Sequence, residues 1–442
     1  MCFTFLASFL YRVCQLTIYE LIYFFLKEAQ LSVCYWNIFI FHTVEQWYDW
    51  LYKNSIKLYG EMEELYLTQY DAIIIGAGSM GMAAGYYLAK QGKKTLLIDS
   101  YDPPHTNGAH HGETRIIRHA YGEGAEYVPL ALKAQQLWGE LEEVSGKQLF
   151  LQTGVINVGK ADSLFMKNII DSAKTYNLPV EVLQAREVME RWPGIKLPAD
   201  YIGCFEKSSG VLKNEVCIEA YKEQAIKMGA DLLTYTEVLE LHMNNGKATV
   251  KTASNEYQAD ALIVCGGAWS GKLLGQLGLN LPLSPTRKTF AWFDADEAIY
   301  SSQNFPAFSF ETDEGMYYGF PSIDQAGLKI GRHDGGERID PDETMSPFGE
   351  LAEDEGDVKQ FLTNYMPLTE ELKFGKTCTY TLTPDEDFII DLHPDYTNVA
   401  IAAGFSGHGF KFSSVVGEIL SDLATMGKTE HNISPFSIKR FK

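Results

Sequence analysis

The sequence predicts an α/β fold of two domains, at least one of which is built on a parallel β-sheet. A short apolar strand near residue 73 runs directly into a glycine-rich turn and a helix, and a second strand follows. Near residue 400 the chain repeats the order of buried strand, glycine turn and helix. The 442 residues suffice for two domains, and 46% hydrophobic with 21% charged residues is an ordinary globular composition.

The first element spans residues 70–100, YDAIIIGAGSMGMAAGYYLAKQGKKTLLIDS. The run Ile73–Ile75 suits a buried parallel strand. In the GxGxxG turn that follows, two glycines permit a tight turn beside a pyrophosphate, and the third lets the helix pack closely on the strand. The unpaired N–H groups that begin the helix bind phosphate. This pattern predicts a dinucleotide site that includes Gly76, Gly78, Ser79, Met80 and Gly81.

The second strand, TLLID, ends at Asp99, which is about 20 residues beyond the glycine turn, where a carboxylate binds an adenosine ribose. The motif alone fits NAD, NADP or FAD equally well. Residues 234–270 read as a hairpin followed by a strand that ends in a Gly-Gly turn. The segment NVAIAAGFSGHGFKFSSVVGEIL, residues 398–420, then adds a strand and a helix opened by Gly407 and Gly409. A late helix of this kind can reach the far end of an extended dinucleotide, which favours FAD.

Charge and cysteine content exclude several classes of function. The formal net charge of -21 and the pI near 4.9 argue against nucleic acid or an anionic membrane as partner, although a small anionic substrate is still compatible. The seven cysteines show no CxxC spacing, so neither a metal site nor a disulfide framework is predicted. This usage fits a reducing compartment, and we expect a cytoplasmic protein.

Residues 1–66 are rich in aromatic and aliphatic side chains and differ from the rest of the chain. Charged residues such as Arg12, Glu20 and Lys27 interrupt the apolar runs, so none reaches the ~20 residues needed to span a bilayer. No basic region and cleavage site of a secretory signal are evident. We interpret the segment as an extension caused by a miscalled start codon, with Met62 as the better beginning. An interfacial anchor is the alternative, although the segment lacks a basic polar face.

Five blocks of the sequence resemble the family of monomeric sarcosine oxidase and N-methyltryptophan oxidase. They are GAGSMGMAAGYYLAKQGKKTLLID, DPPHTNGAHHGETRIIRHAYGEG, YYGFPSIDQAGLKIGRH, PDEDFIIDLHP and AAGFSGHGFKFSS, and the resemblance covers about residues 68–441. It implies an α/β flavoprotein of the glycine oxidase and D-amino-acid oxidase type. A Rossmann-like FAD domain would comprise residues 67–152, 211–284 and 378–442. A substrate domain with a mixed sheet would comprise residues 153–210 and 285–377.

The resemblance also implies a covalent cofactor. In this family a cysteine in a block similar to CTYTLTPDEDFIID is bonded to the flavin 8α-methyl carbon, and Cys378 occupies that place. Such a bond requires a thiolate, because the thiolate and not the thiol is the nucleophile. The alternative is that Cys378 is a buried inert cysteine. Cys204, Cys217 and Cys265 lie in helical or strand patterns and are predicted core residues.

Site residues follow from the same blocks. A guanidinium binds a carboxylate through two parallel hydrogen bonds, and HHGETRIIRHAYGEG supplies two arginines. The resemblance assigns Arg118 and Lys411 to the substrate carboxylate and Arg115 to the flavin ring. It assigns Tyr318 and His333 to the substrate pocket. Ordinary surface arginines and a packed histidine are the structural alternatives.

Lys329 is the candidate for reaction with oxygen. In strand geometry its side chain shares a face with Gly331 and His333. A lysine on a buried face is costly unless it has a partner or a task. The matching lysine of the family lies over flavin N5, where a cation stabilises negative charge on oxygen.

The implied reaction is oxidation of sarcosine to glycine, formaldehyde and hydrogen peroxide by a monomeric enzyme. Ser309 stands where sarcosine oxidases usually have methionine, so a wider preference that includes N-methyltryptophan is the first alternative. A membrane-associated flavin dehydrogenase, suggested by the aromatic N-terminus, is a remoter one. A non-catalytic FAD-binding protein would lack the pair Arg118 and Lys411. We expect no metal, no nucleic acid and no membrane partner.

Overall fold

The computed structural model describes residues 68–441, which contain three β-sheets with helices packed on them. The predicted extension, residues 1–66, lies outside the described residues. In chain order the strands are β1 (Thr68–Ile75), β2 (Thr95–Ile98), β3 (Thr114–Ile117), β4 (Phe150–Leu151), β5 (Val155–Lys160), β6 (Val180–Gln184), β7 (Tyr201–Glu206), β8 (Gly210–Lys213), β9 (Asp231–Leu233), β10 (Val238–Asn244), β11 (Lys247–Thr252), β12 (Glu256–Val264), β13 (Ser284–Ala295), β14 (Ala307–Thr312), β15 (Gly315–Phe320), β16 (Leu328–Arg332), β17 (Glu337–Arg338), β18 (Thr369–Leu382), β19 (Ile389–Leu392) and β20 (Val399–Ala403). The α-helices are α1 (Ser79–Lys90), α2 (Val128–Ser145), α3 (Leu164–Thr175), α4 (Ala185–Arg191), α5 (Asn214–Lys227), α6 (Ser270–Gln276), α7 (Glu297–Tyr300), α8 (Glu353–Tyr365) and α9 (Ser413–Met426).

The first sheet contains the predicted dinucleotide-binding elements. Its order is β10-β11-β12-β1-β2-β9, and β20 pairs with β12 and with β19. β1 lies between β12 and β2 in parallel register, so Ile74 faces Ile263 on one side and Leu97 on the other. These apolar positions are buried, as expected for a parallel sheet covered on both faces. The predicted order of strand, turn, helix and strand is confirmed, with β2 ending one residue before Asp99.

Helices α1 and α9 pack against each other on this sheet because both carry small residues at their contact. A Cβ built on Gly417 would lie 2.5 Å from the Cβ of Ala83. A Cβ on Gly81 would lie 1.9 Å from the carbonyl oxygen of Gly76. The third glycine of the motif therefore lets α1 begin directly over the end of β1, as predicted.

The second sheet is mixed, as the sequence predicts. Its order is β17-β13-β16-β15-β14-β5-β7-β6, and β18 pairs with β13 along most of its length. The β14–β5 pair is parallel and the other pairs are antiparallel. Phe308 and Phe310 of β14 pack on Phe361 and Tyr365 of α8, which forms the core on one face of the sheet.

The third sheet is small, with the order β3-β8-β4. It carries Arg115 on β3, opposite Leu212 of β8. None of the helices within residues 68–441 is both long enough and apolar enough to cross a membrane. The domain boundaries given above stay predictions.

Candidate active site

A cleft of about 820 Å³ opens at the carboxyl ends of β1, β2 and β20. Ligands bind at this edge of open α/β sheets. Most residues predicted to bind the cofactor line the cleft: Gly76, Gly78, Ser79, Met80, Asp99, Gly407 and Gly409. Gly81 lies under the turn and supports its shape instead.

The glycine turn leaves room for a pyrophosphate. Gly76 has a φ of 89° and its Cβ would lie 2.5 Å from the carbonyl oxygen of Cys265, so a larger residue cannot replace it. Gly78 precedes α1 and no side chain caps the helix, which leaves its first N–H groups directed at the cleft. The residues present therefore fit a dinucleotide.

Asp99 is oriented by the backbone around it. Its Oδ2 accepts a hydrogen bond from the N–H of Ala77 at 2.7 Å, and its Oδ1 accepts one from the N–H of Tyr101 at 2.9 Å. The carboxylate is almost buried and lines the cleft beside the glycine turn. This position fits hydrogen bonds from ribose hydroxyls, because an ionised carboxylate accepts more than two bonds.

Cys378 lies on β18 directly before Thr379 and Tyr380, which line the cleft. It is buried, has a free thiol and faces Lys288 across the β13–β18 pair. Burial raises the pKa of the thiol, while Arg115, Lys329 and Lys288 act in the opposite direction. The predicted core cysteines, Cys204, Cys217 and Cys265, are buried, and burial raises their thiol pKa values.

A second cavity of about 70 Å³ adjoins the cleft, since Arg115, Tyr380, Gly407 and Phe410 line both. The smaller cavity brings together five of the predicted catalytic and substrate residues. They are Arg115, Arg118, Tyr318, His333 and Lys411.

Arg118 is buried and already paired. Its Nη2 donates to both carboxylate oxygens of Glu123, at 2.6 and 2.9 Å, and its Nη1 donates to Oδ1 of Asn157 at 3.0 Å. Although burial acts to raise it, the guanidinium holds the pKa of Glu123 at about 2. The ionised carboxylate of Glu123 is thus bound to the guanidinium of Arg118 in this structure.

Lys411 lies on the same wall of the cavity. Its Nζ donates to the hydroxyl oxygen of Tyr121 at 3.0 Å and to the carbonyl oxygen of His408 at 2.7 Å. Burial and the neighbouring Arg118 lower its pKa to about 7. Within residues 68–441 no carboxylate lies in hydrogen-bond contact with the ammonium, which titrates near neutral pH.

His333 and Tyr318 are uncharged at neutral pH. Burial lowers the pKa of His333 to about 4 and raises that of Tyr318 to about 12. The N–H of His333 donates to the carbonyl oxygen of Met316 at 2.7 Å, which fixes the residue at the end of β16. A neutral imidazole and a phenol thus form one side of the cavity.

Lys329 is buried as predicted, but it lies behind the small cavity and does not line it. Its Nζ donates to the carbonyl oxygen of Gly112, and to the carbonyl oxygen and Oγ1 of Thr114 at 3.3 and 3.1 Å. The aromatic rings of Phe290, Trp292 and Phe320 surround it, with centroids at 4.6, 5.2 and 4.7 Å. Burial lowers its pKa well below the usual value, and Arg115 adds to the effect.

Arg115 separates the two cavities and is held by backbone oxygens. Its guanidinium donates to the carbonyl oxygens of Thr114, Ala109 and His111 at 2.7–2.8 Å. Three such bonds fix the plane of the group at the boundary between the cleft and the cavity.

Sequence reasoning missed three polar side chains of the cavity: Glu123, Tyr380 and His408. A signal was present for Tyr380, because side chains two residues apart on a strand share a face and Tyr380 follows Cys378 by two. Glu123 and His408 lie in glycine-rich loops, where no periodicity indicates direction.

Comparison with known proteins agrees with these features. A family model described as FAD dependent oxidoreductase matches residues 71–423. Monomeric sarcosine oxidase of Bacillus sp. (strain NS-129) is 55% identical over 376 residues, which cover 84% of this chain and 97% of the relative. N-methyl-L-tryptophan oxidase of Escherichia coli K12 is 45% identical over 376 residues, covering 85% of this chain and 100% of the relative.

A solved structure of glycine oxidase from Geobacillus kaustophilus superposes with a TM-score of 0.70 at 21% identity. The match covers 84% of this chain and 99% of that chain. The predicted fold class is confirmed.

Proposed function

Because this chain belongs to the FAD-dependent oxidoreductase family, we propose that it is an oxidase of N-methyl amino acids whose preferred substrate is sarcosine. The products are glycine, formaldehyde and hydrogen peroxide. The higher identity to monomeric sarcosine oxidase than to N-methyl-L-tryptophan oxidase supports this preference.

The observation that carries the proposal is the small cavity that adjoins the cofactor cleft. Its cations, Arg118 and Lys411, suit a substrate carboxylate, and its small volume suits a small amino acid. The shared lining, which includes Arg115 and Tyr380, would orient the substrate toward the cofactor.

Binding of the carboxylate involves the pair of Arg118 and Glu123. Glu123 holds the guanidinium in this structure, so the substrate carboxylate competes with Glu123 or joins it through Lys411. Glu123 makes no hydrogen bond to Lys411, so the positive charge of Lys411 is available to the substrate carboxylate.

Neutral groups then face the amine. An amine gives up a hydride from its methyl carbon readily only when the nitrogen carries a free lone pair, so the substrate must lose its ammonium proton. The unprotonated imidazole of His333 accepts a hydrogen bond from the amine without adding a positive charge. Burial of the cavity excludes water from the reacting carbon.

Bound FAD supplies the hydride acceptor and passes the electrons on to oxygen. The residues of this chain that hold it would be the glycine turn, Asp99 and the second glycine turn at Gly407 and Gly409. Lys329 would act in the second half of the reaction, because a cation in a low-dielectric, aromatic surrounding strongly stabilises negative charge that develops on oxygen.

Cys378 is the proposed site of covalent attachment. Its position next to cleft-lining residues supports this. Burial raises the pKa of the Cys378 thiol, and Arg115, Lys329 and Lys288 oppose that rise and so favour the thiolate that attachment requires. Acid precipitation of the intact protein should leave the flavin on the polypeptide, whereas Cys378→Ala should release it. Recovery of all flavin in the supernatant of the intact protein would exclude the covalent bond.

N-methyl-L-tryptophan is the second candidate substrate, because Ser309 lines the cavity with a small side chain. A substrate panel tests the choice: peroxide formation with sarcosine, N-methyltryptophan, proline, glycine and D-alanine. We expect the highest kcat/KM with sarcosine. A higher value with N-methyltryptophan would reverse the preference.

The same assay, run without membranes, tests for a dehydrogenase. Oxygen uptake that matches peroxide formation supports the oxidase, and activity only with an added quinone would contradict it. We further propose a cytoplasmic monomer, supported by the name of the relatives and by the four free cysteines within residues 68–441, and testable by light scattering and cell fractionation.

A further inference from the structure

The turn at Gly112 and Glu113 has an unusual backbone. Both residues have positive φ, 99° and 73°, and Glu113 is not a glycine. A Cβ on Gly112 would lie 2.6 Å from the ring of Phe290, so the turn is pressed against the aromatic residues around Lys329. A conformation of this kind persists only where its surroundings hold it.

Glu215 holds this turn. Its Oε1 accepts hydrogen bonds from the N–H of Gly112 at 2.7 Å and from the N–H of Glu113 at 2.9 Å. The neighbouring Asn214 adds two contacts, because its side chain donates to the carbonyl oxygen of His110 and its N–H donates to that of Glu113. The first residues of α5 therefore fix the turn from outside the cavity.

One peptide unit links the carboxylate to the lysine. The N–H of Glu113 donates to Glu215, and the carbonyl oxygen of Gly112 in the same peptide accepts from Nζ of Lys329. Consecutive hydrogen bonds of this kind polarise each other, so a carboxylate at one end strengthens the bond at the other.

From this arrangement we propose that Glu215 is a positioning residue for oxygen reduction. It holds and polarises the peptide between Gly112 and Glu113, whose carbonyl oxygen fixes Lys329. The inference rests on the role of Lys329 in the proposed function. Glu215 touches neither cavity.

The charges around Lys329 support a specific effect of Glu215. Burial and Arg115 on β3 lower the pKa of Lys329, while Glu215 on α5 and Glu113 in the turn raise it. Cys378 on β18 also raises it, but only while its sulfur is not bonded to the flavin. Glu113 is exposed and pairs with Lys376 at 3.2 Å, so solvent screens it. Glu215 is half-buried and is the carboxylate bonded to the turn.

The test separates the two halves of the reaction in the flavin-loaded enzyme. Stopped-flow spectroscopy would measure reduction by sarcosine without oxygen, and reoxidation by oxygen, across pH 6–10. Glu215→Ala removes both the bonds and the charge, and we expect reoxidation to slow on the order of tenfold while reduction changes by less than about threefold.

Glu215→Gln keeps an oxygen acceptor and removes only the charge. Reoxidation needs the protonated Lys329, and loss of a nearby negative charge lowers its pKa. We therefore expect the pH above which reoxidation declines to move downward in Glu215→Gln. Glu113→Gln is the matched control, since it removes the screened carboxylate, and its profile should stay close to that of the unchanged enzyme.

Lys329→Met identifies which assumption fails. If Lys329→Met leaves reoxidation unchanged, the assignment of Lys329 itself is wrong. If Lys329→Met slows reoxidation but both Glu215 variants do not, the role of Glu215 is refuted. Equal slowing of both half-reactions with a lower melting temperature would mean a merely structural role. Should Glu215→Ala fail to fold, the pH profile of Glu215→Gln decides alone.

Discussion

At the level of single residues, Lys411 makes the small cavity sensitive to pH. Its pKa of about 7 means that it carries a charge below neutral pH and loses it above. We expect the dissociation constant of acetate, a carboxylate without an amine, to rise roughly tenfold per pH unit above about 7. Quenching of flavin fluorescence or a shift of flavin absorbance would measure binding.

Lys411→Met supplies the control for this titration. It removes the charge at every pH, so acetate should bind more weakly and with little change between pH 6 and 9. His333 contributes no step in that range because its pKa lies near 4. A pH-independent constant in the unchanged enzyme would contradict the assignment of Lys411.

Single residues also show where sequence reasoning reached its limit. Arg118 and Lys411 lie in blocks with a recognisable pattern, and they line the same cavity. The partner of Arg118 was not predictable, because Glu123 reaches it through a glycine-bounded loop whose path depends on tertiary packing. Glu215 was missed for a related reason: it acts through backbone bonds and lies far from every motif.

At the level of elements, the glycine turn decides whether α1 can begin over β1. Gly81→Ala would place a Cβ 1.9 Å from a backbone oxygen of Gly76, which cannot give way without moving strand or helix. We expect this variant to lose bound flavin or to be insoluble. Flavin absorbance per polypeptide in purified protein measures the effect.

Gly139 offers a matched control on α2. Apart from the adjoining helix backbone, no atom of the described residues lies within 4 Å of a Cβ built there, and alanine in a helix is favoured over glycine by about 0.5–1 kcal/mol. Gly139→Ala should keep its flavin and its melting temperature or raise the latter slightly. Full flavin content in Gly81→Ala would show that the turn is less constrained than its geometry indicates.

A buried ion pair ties β13 to α8. Arg287 donates to both oxygens of Asp354, at 2.7 and 2.8 Å, and both side chains are almost fully buried. Removal of one partner leaves an uncompensated charge, so Asp354→Ala should lower the free energy of unfolding by about 3–5 kcal/mol. Urea denaturation followed by circular dichroism would measure the loss.

The exposed pair of Arg186 and Glu190 on α4 is the comparison for that variant. Glu190→Ala should leave the free energy of unfolding almost unchanged, because solvent screens such pairs. Similar losses of unfolding free energy in Asp354→Ala and Glu190→Ala would mean that the buried pair with Arg287 matters no more for stability than the exposed pair.

The elements themselves were largely predictable. Apolar periodicity and glycine turns indicated β1, α1, β2, β20 and α9, and the β10–β11 hairpin was also expected from the sequence. The pairing of β18 with β13 was not predictable, because the two strands lie about 80 residues apart and pairing across that distance leaves no local pattern.

At the level of the whole molecule, covalent attachment would change how stability depends on cofactor concentration. In Cys378→Ala, FAD would bind reversibly, and each tenfold increase in free FAD above its dissociation constant would add about 1.4 kcal/mol of stability. We expect the melting temperature of this variant to rise with added FAD. The unchanged protein, loaded during expression, should melt at one temperature whatever the FAD concentration.

Differential scanning fluorimetry over a range of FAD concentrations would test this contrast. Dependence on added FAD in the fully loaded unchanged protein would argue against a covalent bond. A Cys378→Ala variant with no dependence would mean that the cleft binds FAD too weakly, or too tightly, to exchange.

The parts of the cleft are synthesised at different times, because they lie far apart along the chain. The turn at Gly78 leaves the ribosome early, whereas Gly409 and α9 come about 330 residues later. At roughly 5–20 residues per second, the nascent chain waits about 15–65 s between the two. For about the first half of that time β1 lacks β12, its parallel neighbour on one side, and throughout that time α1 lacks α9, which packs against it. Parallel pairing over such a separation is slow, and exposed strand edges invite aggregation. Production of this protein should therefore benefit from chaperones that shield the early strands until the C-terminal helix arrives.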